Sequence, residues 1–259
     1  MSTIRSAVVY ACAIFAGAVA GDLLQWLLPT HHLVDAKGVI GAVQGLVTAL
    51  LALVLGLLIW TAYGVYAQQY SEMMTLAGQV LSLDVQLDRL GRDGPPARAL
   101  LVQQLLAMRR RFWAHDGECG PQLPYALARA ELSGAEEFYA ALKPATDEDR
   151  KAVDAARALA TSIVATILLM GRQLRNPVPQ GLIQSVVLWA ILVFCCLGTT
   201  ATLNPLSVVV EFIGAVSVAS AIFVILEFSQ PYAGYFRILP VGMDERIEEL
   251  SRRLGPAAA

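Results

Sequence analysis

Charge is what this sequence has least of. Only 15% of its 259 residues are charged, against roughly 25% in a soluble domain. The charges that exist nearly cancel, leaving a formal net charge of -2. With no basic stripe in the chain, that balance gives no footing for a nucleic-acid partner. Four cysteines and three histidines are too few and too scattered for a disulfide framework or a zinc site. His115 and Cys119 are four apart, but Gly117 and Gly120 place them in a loop. No resident metal or cofactor is expected. Gly-rich phosphate loops, G-x-S-x-G, H-E-x-x-H and Walker patterns are all missing, so no catalytic residue can be named and no motif argues for an enzyme.

Apolar residues fill 56% of the chain, and they are gathered in blocks at about 6–28, 39–62, 182–202 and 206–228. A membrane-spanning helix needs about 20 consecutive, mainly apolar residues. Each block is that long and almost free of charge, and in lipid each must bond its backbone within its own segment. The expectation is an all-α integral membrane protein with four transmembrane helices and a helical bundle inserted between the second and third. The first block admits a second reading, a signal peptide cleaved after Ala18-Val19-Ala20. Against it, the apolar run continues through Leu23, Leu24, Trp26 and Leu27.

The expected organisation is a first hairpin over 1–66, a cytoplasmic helical domain over 67–180, a second hairpin over 181–230 and a cytoplasmic tail over 231–259. Arg172, Arg175 and Arg237 flank spans, and such residues stay in the cytoplasm. Both termini and the inserted domain are therefore expected inside. Trp26, Trp60, Tyr63 and Tyr66 stand at block ends, where amphipathic rings favour the interface.

In the inserted domain, Leu76, Val80, Leu83, Leu87 and Leu90 recur at helical spacing, with Asp84, Asp88 and Arg89 on the other face. Gly91 to Pro96 breaks that helix. A second helix follows over 97–113 and a third over 125–142. Thr146, with Asp149 three residues on, caps a fourth over 147–174. Its uncharged half, 159–170, reads as bundle core or as membrane contact.

Two spans carry features beyond anchoring. In the second, Gly41, Gln44, Gly45, Thr48, Ala52 and Gly56 share one narrow face of small side chains. Such a face suits close helix packing or the lining of a pore at an oligomer axis, with Gln44 and Thr48 as its polar groups. In the fourth, Glu211 lies inside the outer leaflet, where a carboxylate costs a few kcal/mol. It reads as an ion or proton site, or as a hydrogen-bonded interhelical contact facing with Ser207, Gly214 and Val218. Glu227 lies at the cytoplasmic end of that span, at the expected interface. Asp22 in the first span snorkels outward or pairs with a neighbour such as Lys37.

Three stretches resemble the bestrophin-like domain family of bacterial membrane proteins. They are Leu53-Val54-Leu55-Gly56-Leu57-Leu58-Ile59 leading into Thr61-Ala62-Tyr63, the helix from Tyr70-Ser71-Glu72 to Leu90, and Glu227 to Gly234. The last is similar to the acidic and Pro-Phe-x-Gly element after the family's final span, here carried by Glu227, Pro231 and Gly234. Gln230 and Tyr232 are where this chain differs from the commoner residues. The resemblance implies a multi-pass protein of the bacterial inner membrane and a distant likeness to bestrophins, pentameric anion channels whose second span lines the pore. It implies a homo-oligomer, a pentamer by analogy, in the lipid bilayer, conducting ions past the Gly41–Gly56 face. Glu211 suits a cation or proton path better than an anion path. The competing reading is a membrane-anchored sensing or interaction module whose cytoplasmic bundle binds a partner.

Overall fold

A computed structural model describes residues 2–27, 30–113, 125–144, 146–174, 178–202 and 204–254, with the side chains of 2, 30–35 and 125 left out. The described residues form eight α-helices and one 3-10 turn, and no strand. In order they are α1 (Ser2–Leu27), α2 (Thr30–Arg89), the turn Gly91–Asp93, α3 (Gly94–Phe112), α4 (Tyr125–Ala141), α5 (Asp147–Gln173), α6 (Gln180–Thr200), α7 (Pro205–Phe228) and α8 (Val241–Leu254). His115 and Cys119 lie outside the described residues, as do the side chains of His31 and His32.

Local chemistry accounts for the helix ends. Thr146 caps α5 as its sequence indicates: its hydroxyl accepts from the Asp149 amide while the Asp149 carboxylate accepts from the Thr146 amide, both at 3.1 Å. Asn204 caps α7 by accepting from the Ser207 amide at 2.8 Å, and Pro205 opens the helix where no donor is needed. After α2 the chain turns at Gly91, whose φ of 54° is left-handed and open to glycine without strain.

The second apolar block and the helix after it are one element. Composition changes from apolar to polar between Ala62 and Tyr70, but no proline breaks the chain there, so α2 runs on for 60 residues. Five helices among the described residues are long and apolar enough to cross a membrane: 3–27 in α1, 36–89 in α2, and α5, α6 and α7. The fifth, α5, has the lowest mean hydropathy, 1.6. Of its apolar window 44% is buried within the protein, against 11% for α2.

The chain divides into two compact units, 1–66 with 177–230 and 67–176 with 231–259. In the first, α1 packs on α6 and α7. Its core joins Ile14 and Ala18 of α1, Leu51, Leu58 and Ala62 of α2, Val186, Ala190 and Phe194 of α6, and Ile222 and Ile225 of α7. Lipid offers no hydrophobic reward for helix association, so close van der Waals fit must supply it. Glycines provide that fit between α1 and α6. A Cβ on Gly17 would stand 2.9 Å from the Ile191 carbonyl oxygen, and one on Gly21 would collide with that of Cys195. One on Gly198 would stand 2.8 Å from the Asp22 amide nitrogen. The Ala18-Val19-Ala20 stretch is continuous helix, with Ala18 buried and Val19 and Ala20 exposed.

In the second unit, Leu76, Val80, Leu83 and Leu87 of α2 are buried, as are Leu105 and Met108 of α3, Ile163 and Met170 of α5, and Ile247 and Leu250 of α8. α4 packs on α5, and α3 on α8. The tail beyond α7 is therefore part of this unit's core.

Candidate functional site

α2 is three-sided within the first unit. At 3.6 residues per turn, successive residues stand about 100° apart. Leu51, Leu58 and Ala62 form the stripe turned to the core. Val39, Val43, Leu46, Leu50, Leu53, Leu57 and Trp60 form a second stripe of large exposed side chains. Between them runs the small-residue face. Gly41, Gly45, Thr48, Ala52 and Gly56 are exposed and Gln44 is half-buried. Nothing stands within 4 Å of where a Cβ would sit on Gly41, Gly45 or Gly56. The small residues are therefore not there to admit another helix of the same chain. Gly17, Gly21 and Gly198 do that, and the sequence reading missed them. The i, i+4 spacing of Gly17 and Gly21 in an apolar helix is the signal that could have found them.

The carboxylates of α1 and α7 have different fates. Glu211 is buried, in line with Ala215, Ala219 and Ile222 at helical spacing on α7. Its Oε2 is buried without a hydrogen-bond partner. Gly214, on the neighbouring face, meets the Phe194 ring of α6. Asp22 on α1 is half-buried and is the carboxylate whose charge acts on Glu211. It makes no ion pair with Lys37, which is exposed. One turn on, Gln25 donates Nε2 to the Ala201 carbonyl at 2.8 Å, and its Oε1 is buried without a partner.

Glu227 is 1% exposed. The Thr3 hydroxyl donates to its Oε1 at 2.6 Å, so it is enclosed among helices. Beside it, the Phe228 ring meets Tyr63 and Tyr66 of α2, with centroids 5.7 and 5.5 Å apart. A groove between α1 and α7, lined by Ile4, Val8, Phe15, Phe212, Val216 and Phe223 among others, is almost wholly apolar and offers an ion no path.

In the second unit the Pro231 to Gly234 element starts a closed turn. The Ile238 amide donates to the Pro231 carbonyl at 2.7 Å, and Gly234 has a φ of 90°. Pro231 and Tyr232 are buried and Gly234 is exposed. The Tyr232 hydroxyl donates to Gln69 Oε1 at 2.9 Å, and Gln69 Nε2 donates to Gln173 at 2.6 Å. Phe112 and Trp113 pack edge-on against the Tyr232 ring. Burial, and then the charge of Glu72, push the Tyr232 hydroxyl's pKa up, so it remains a donor.

Arg98 was not singled out by its sequence. It is buried, with Nε 2.7 Å from Asp84 and Nη2 2.7 Å from Asp88. Asp84 is therefore not on a solvated face. Arg253 of α8 joins this cluster at 3.0 Å from Asp84, and Arg109 pairs with Asp244 of α8. Burial alone would lower the pKa of Arg98, but its bonds to Asp84 and Asp88 outweigh that and raise it. Among the described residues no group of three or more His, Cys, Asp or Glu could hold a metal ion.

The Bestrophin-like domain model matches residues 12–243. A crystal structure of a bacterial bestrophin homologue from Klebsiella pneumoniae, a variant with a tryptophan replaced by alanine, matches with a TM-score of 0.66 at 15% identity. The match covers 98% of this chain and 97% of that one. At that identity the likeness is one of fold. No curated protein matches the chain.

Proposed function

The chain belongs to the Bestrophin-like domain family, and from that premise we propose that it is an oligomeric, ion-conducting protein of the bacterial inner membrane. The membrane part is α1, the first half of α2, α6 and α7. Residues 67–180 and 231–259 lie on the cytoplasmic side with both termini. The pore is lined by the Gly41, Gly45, Thr48, Ala52 and Gly56 face of α2, with Gln44 and Thr48 as its polar groups.

One observation carries this reading: the small-residue face is uncovered by the chain's own helices. A face of glycine, alanine and threonine flanked by a stripe of large apolar side chains has two partners to meet. The large stripe suits lipid or a neighbouring subunit. The small face leaves room along an axis and exposes backbone and hydroxyl groups to a permeating ion. A span serving only as an anchor has no use for this division.

The test is flux. Purified protein in liposomes should pass chloride, potassium or protons, and Thr48→Leu should reduce the rate by narrowing the lining. Absence of flux for every ion, from a folded oligomer, would overturn the reading. Native mass spectrometry reporting a monomer would remove the axis on which it depends. Labelling that finds residue 148 accessible from outside would overturn the orientation.

A further inference from the structure

The groove between α1 and α7 opens on the outside of the first unit. The two helices run antiparallel: Thr3 meets Glu227, and the Phe15 ring meets that of Phe212 edge-on with centroids 5.4 Å apart. That aromatic pair stands at one end of the groove, and Ile4 and Phe223 stand at the other. The cavity volume is about 480 Å³. Ala219 is buried along it, but Ile4, Val8, Phe212 and Val216 are exposed, so this is no sealed core cavity. Ser220 carries the one hydroxyl of the lining, and it donates to the Ser217 carbonyl at 2.7 Å. Nothing in the groove asks for water or an ion.

Its length is that of one lipid leaflet. At 1.5 Å per residue, Ile4 to Phe15 spans about 16 Å, as does Phe212 to Phe223. Half of the ~30 Å hydrocarbon core of a bilayer is about 15 Å. Both helices are long and apolar enough to cross a membrane, so an outward groove between them faces lipid tails. Arg5 adjoins the Ile4 end and lies two turns before Cys12 on the same side of α1. It is exposed and enters no ion pair among the described residues. Arg5 and Lys37 are the only lysine or arginine in residues 1–66 and 177–230. A base beside the mouth of an apolar slot is complementary to an amphiphile with an acidic head. Two copies of the chain meeting through this face bring Arg5 no exposed acid from α1 or α7, because Asp22 is half-buried and Glu211 and Glu227 are buried.

We propose that the groove between α1 and α7 is a phospholipid site, holding one acyl chain along its length with the phosphate on Arg5. The aromatic end marks how deep the chain reaches, and the Arg5 end marks the headgroup level. The bound chain fills the slot and touches both helices at once, so it adds van der Waals contact between them where lipid gives no hydrophobic drive to association. The site shares the membrane placement of α1 and α7 with the conduction reading. It does not use the small-residue face of α2 and does not depend on conduction.

The experiment is native mass spectrometry of the full-length protein in detergent micelles, titrated with phosphatidylglycerol or with diacylglycerol of the same chains, together with thermal unfolding. Wild type should take up phosphatidylglycerol saturably, one per chain, and unfold at a higher temperature with it. Cys12→Phe and Ser220→Phe put rings into the groove from exposed positions. Each should weaken uptake about tenfold, the equivalent of two methylenes displaced from the slot, while keeping the parent's circular dichroism. Arg5→Gln should weaken phosphatidylglycerol about fivefold and leave diacylglycerol unchanged. Leu188→Phe, on the exposed side of α6 away from the groove, should bind as the parent does. No saturable uptake by wild type would overturn the site, as would uptake that survives both groove-filling variants. Equal loss in Leu188→Phe would show that the lipid coats the spans without a site. A change in oligomer mass in the groove-filling variants, with lipid count unaltered, would assign the groove to a second copy of the chain and overturn the proposal. Ion flux on the same preparations reports on conduction separately.

Discussion

Thr3 Oγ1 donates a 2.6 Å hydrogen bond to Glu227 Oε1, joining the first turn of α1 to the last turn of α7 across 224 residues of sequence. The pair is buried, so the carboxylate cannot exchange this donor for water. Thr3→Val keeps the shape and removes the hydroxyl. The expected cost is about 1–3 kcal/mol of stability, read as a lower unfolding temperature in detergent. A Thr3→Val protein as stable as the parent would show that the bond is dispensable.

Glycines of the first unit should divide into two groups. Gly21→Ala drives a methyl group into the Cys195 carbonyl, forcing α1 and α6 apart at a cost of about 1–3 kcal/mol or more. Gly45→Ala meets nothing within 4 Å and should leave the fold of the chain intact. Expression yield and the elution profile of the two variants compare them directly. Equal loss in both would mean that the α2 face is as tightly packed as the α1–α6 crossing.

Arg98→Met strips Asp84, whose side chain is 9% exposed, of its buried partner and leaves it only the more exposed Arg253, 3.0 Å away. Leaving a buried charge wholly uncompensated costs about 3–5 kcal/mol, and the remaining pair with Arg253 should hold the loss below that. Adding Asp84→Asn should recover a large part of the loss, because the charge that made it expensive is gone. Chemical denaturation of the three variants tests this, and failure of the double variant to recover would assign the loss to packing.

Alkaline pH should loosen the second unit. Burial pushes the Tyr139 hydroxyl's pKa up to about 12, against about 10 for an exposed tyrosine. Between those values the folded chain keeps a proton that the unfolded chain has released. Stability is therefore fully present below about pH 10 and falls as pH rises through that window. Tyr139→Phe should flatten the fall in a pH series of unfolding temperatures, and an unchanged slope would place its cause elsewhere.

Much of the helical layout was legible from local patterns. The apolar blocks at 6–28, 182–202 and 206–228 overlap α1 (Ser2–Leu27), α6 (Gln180–Thr200) and α7 (Pro205–Phe228), and the Thr146–Asp149 pair marks the start of α5 to the residue. These are signals that a single segment carries. The join inside α2 was not legible, because a change from apolar to polar residues looks like a boundary yet breaks no backbone bond. Nor was the burial of Asp84. Its position opposite the leucine stripe predicts solvent, but Arg98 arrives from α3 after the Gly91 turn and covers it.

The sequence by itself determined that this chain is helical and rich in segments able to cross a membrane, because length and hydropathy of a run suffice for that. It also placed a small-residue face on α2 and a carboxylate at 211. Only the tertiary structure decided that the α2 face is left open while Gly17, Gly21 and Gly198 take the close contacts. It also decided that Glu227 belongs to Thr3, and that Glu211 and Gln25 keep acceptor oxygens without donors. These outcomes depend on which helix lies against which, and residues 224 positions apart carry no local trace of that meeting.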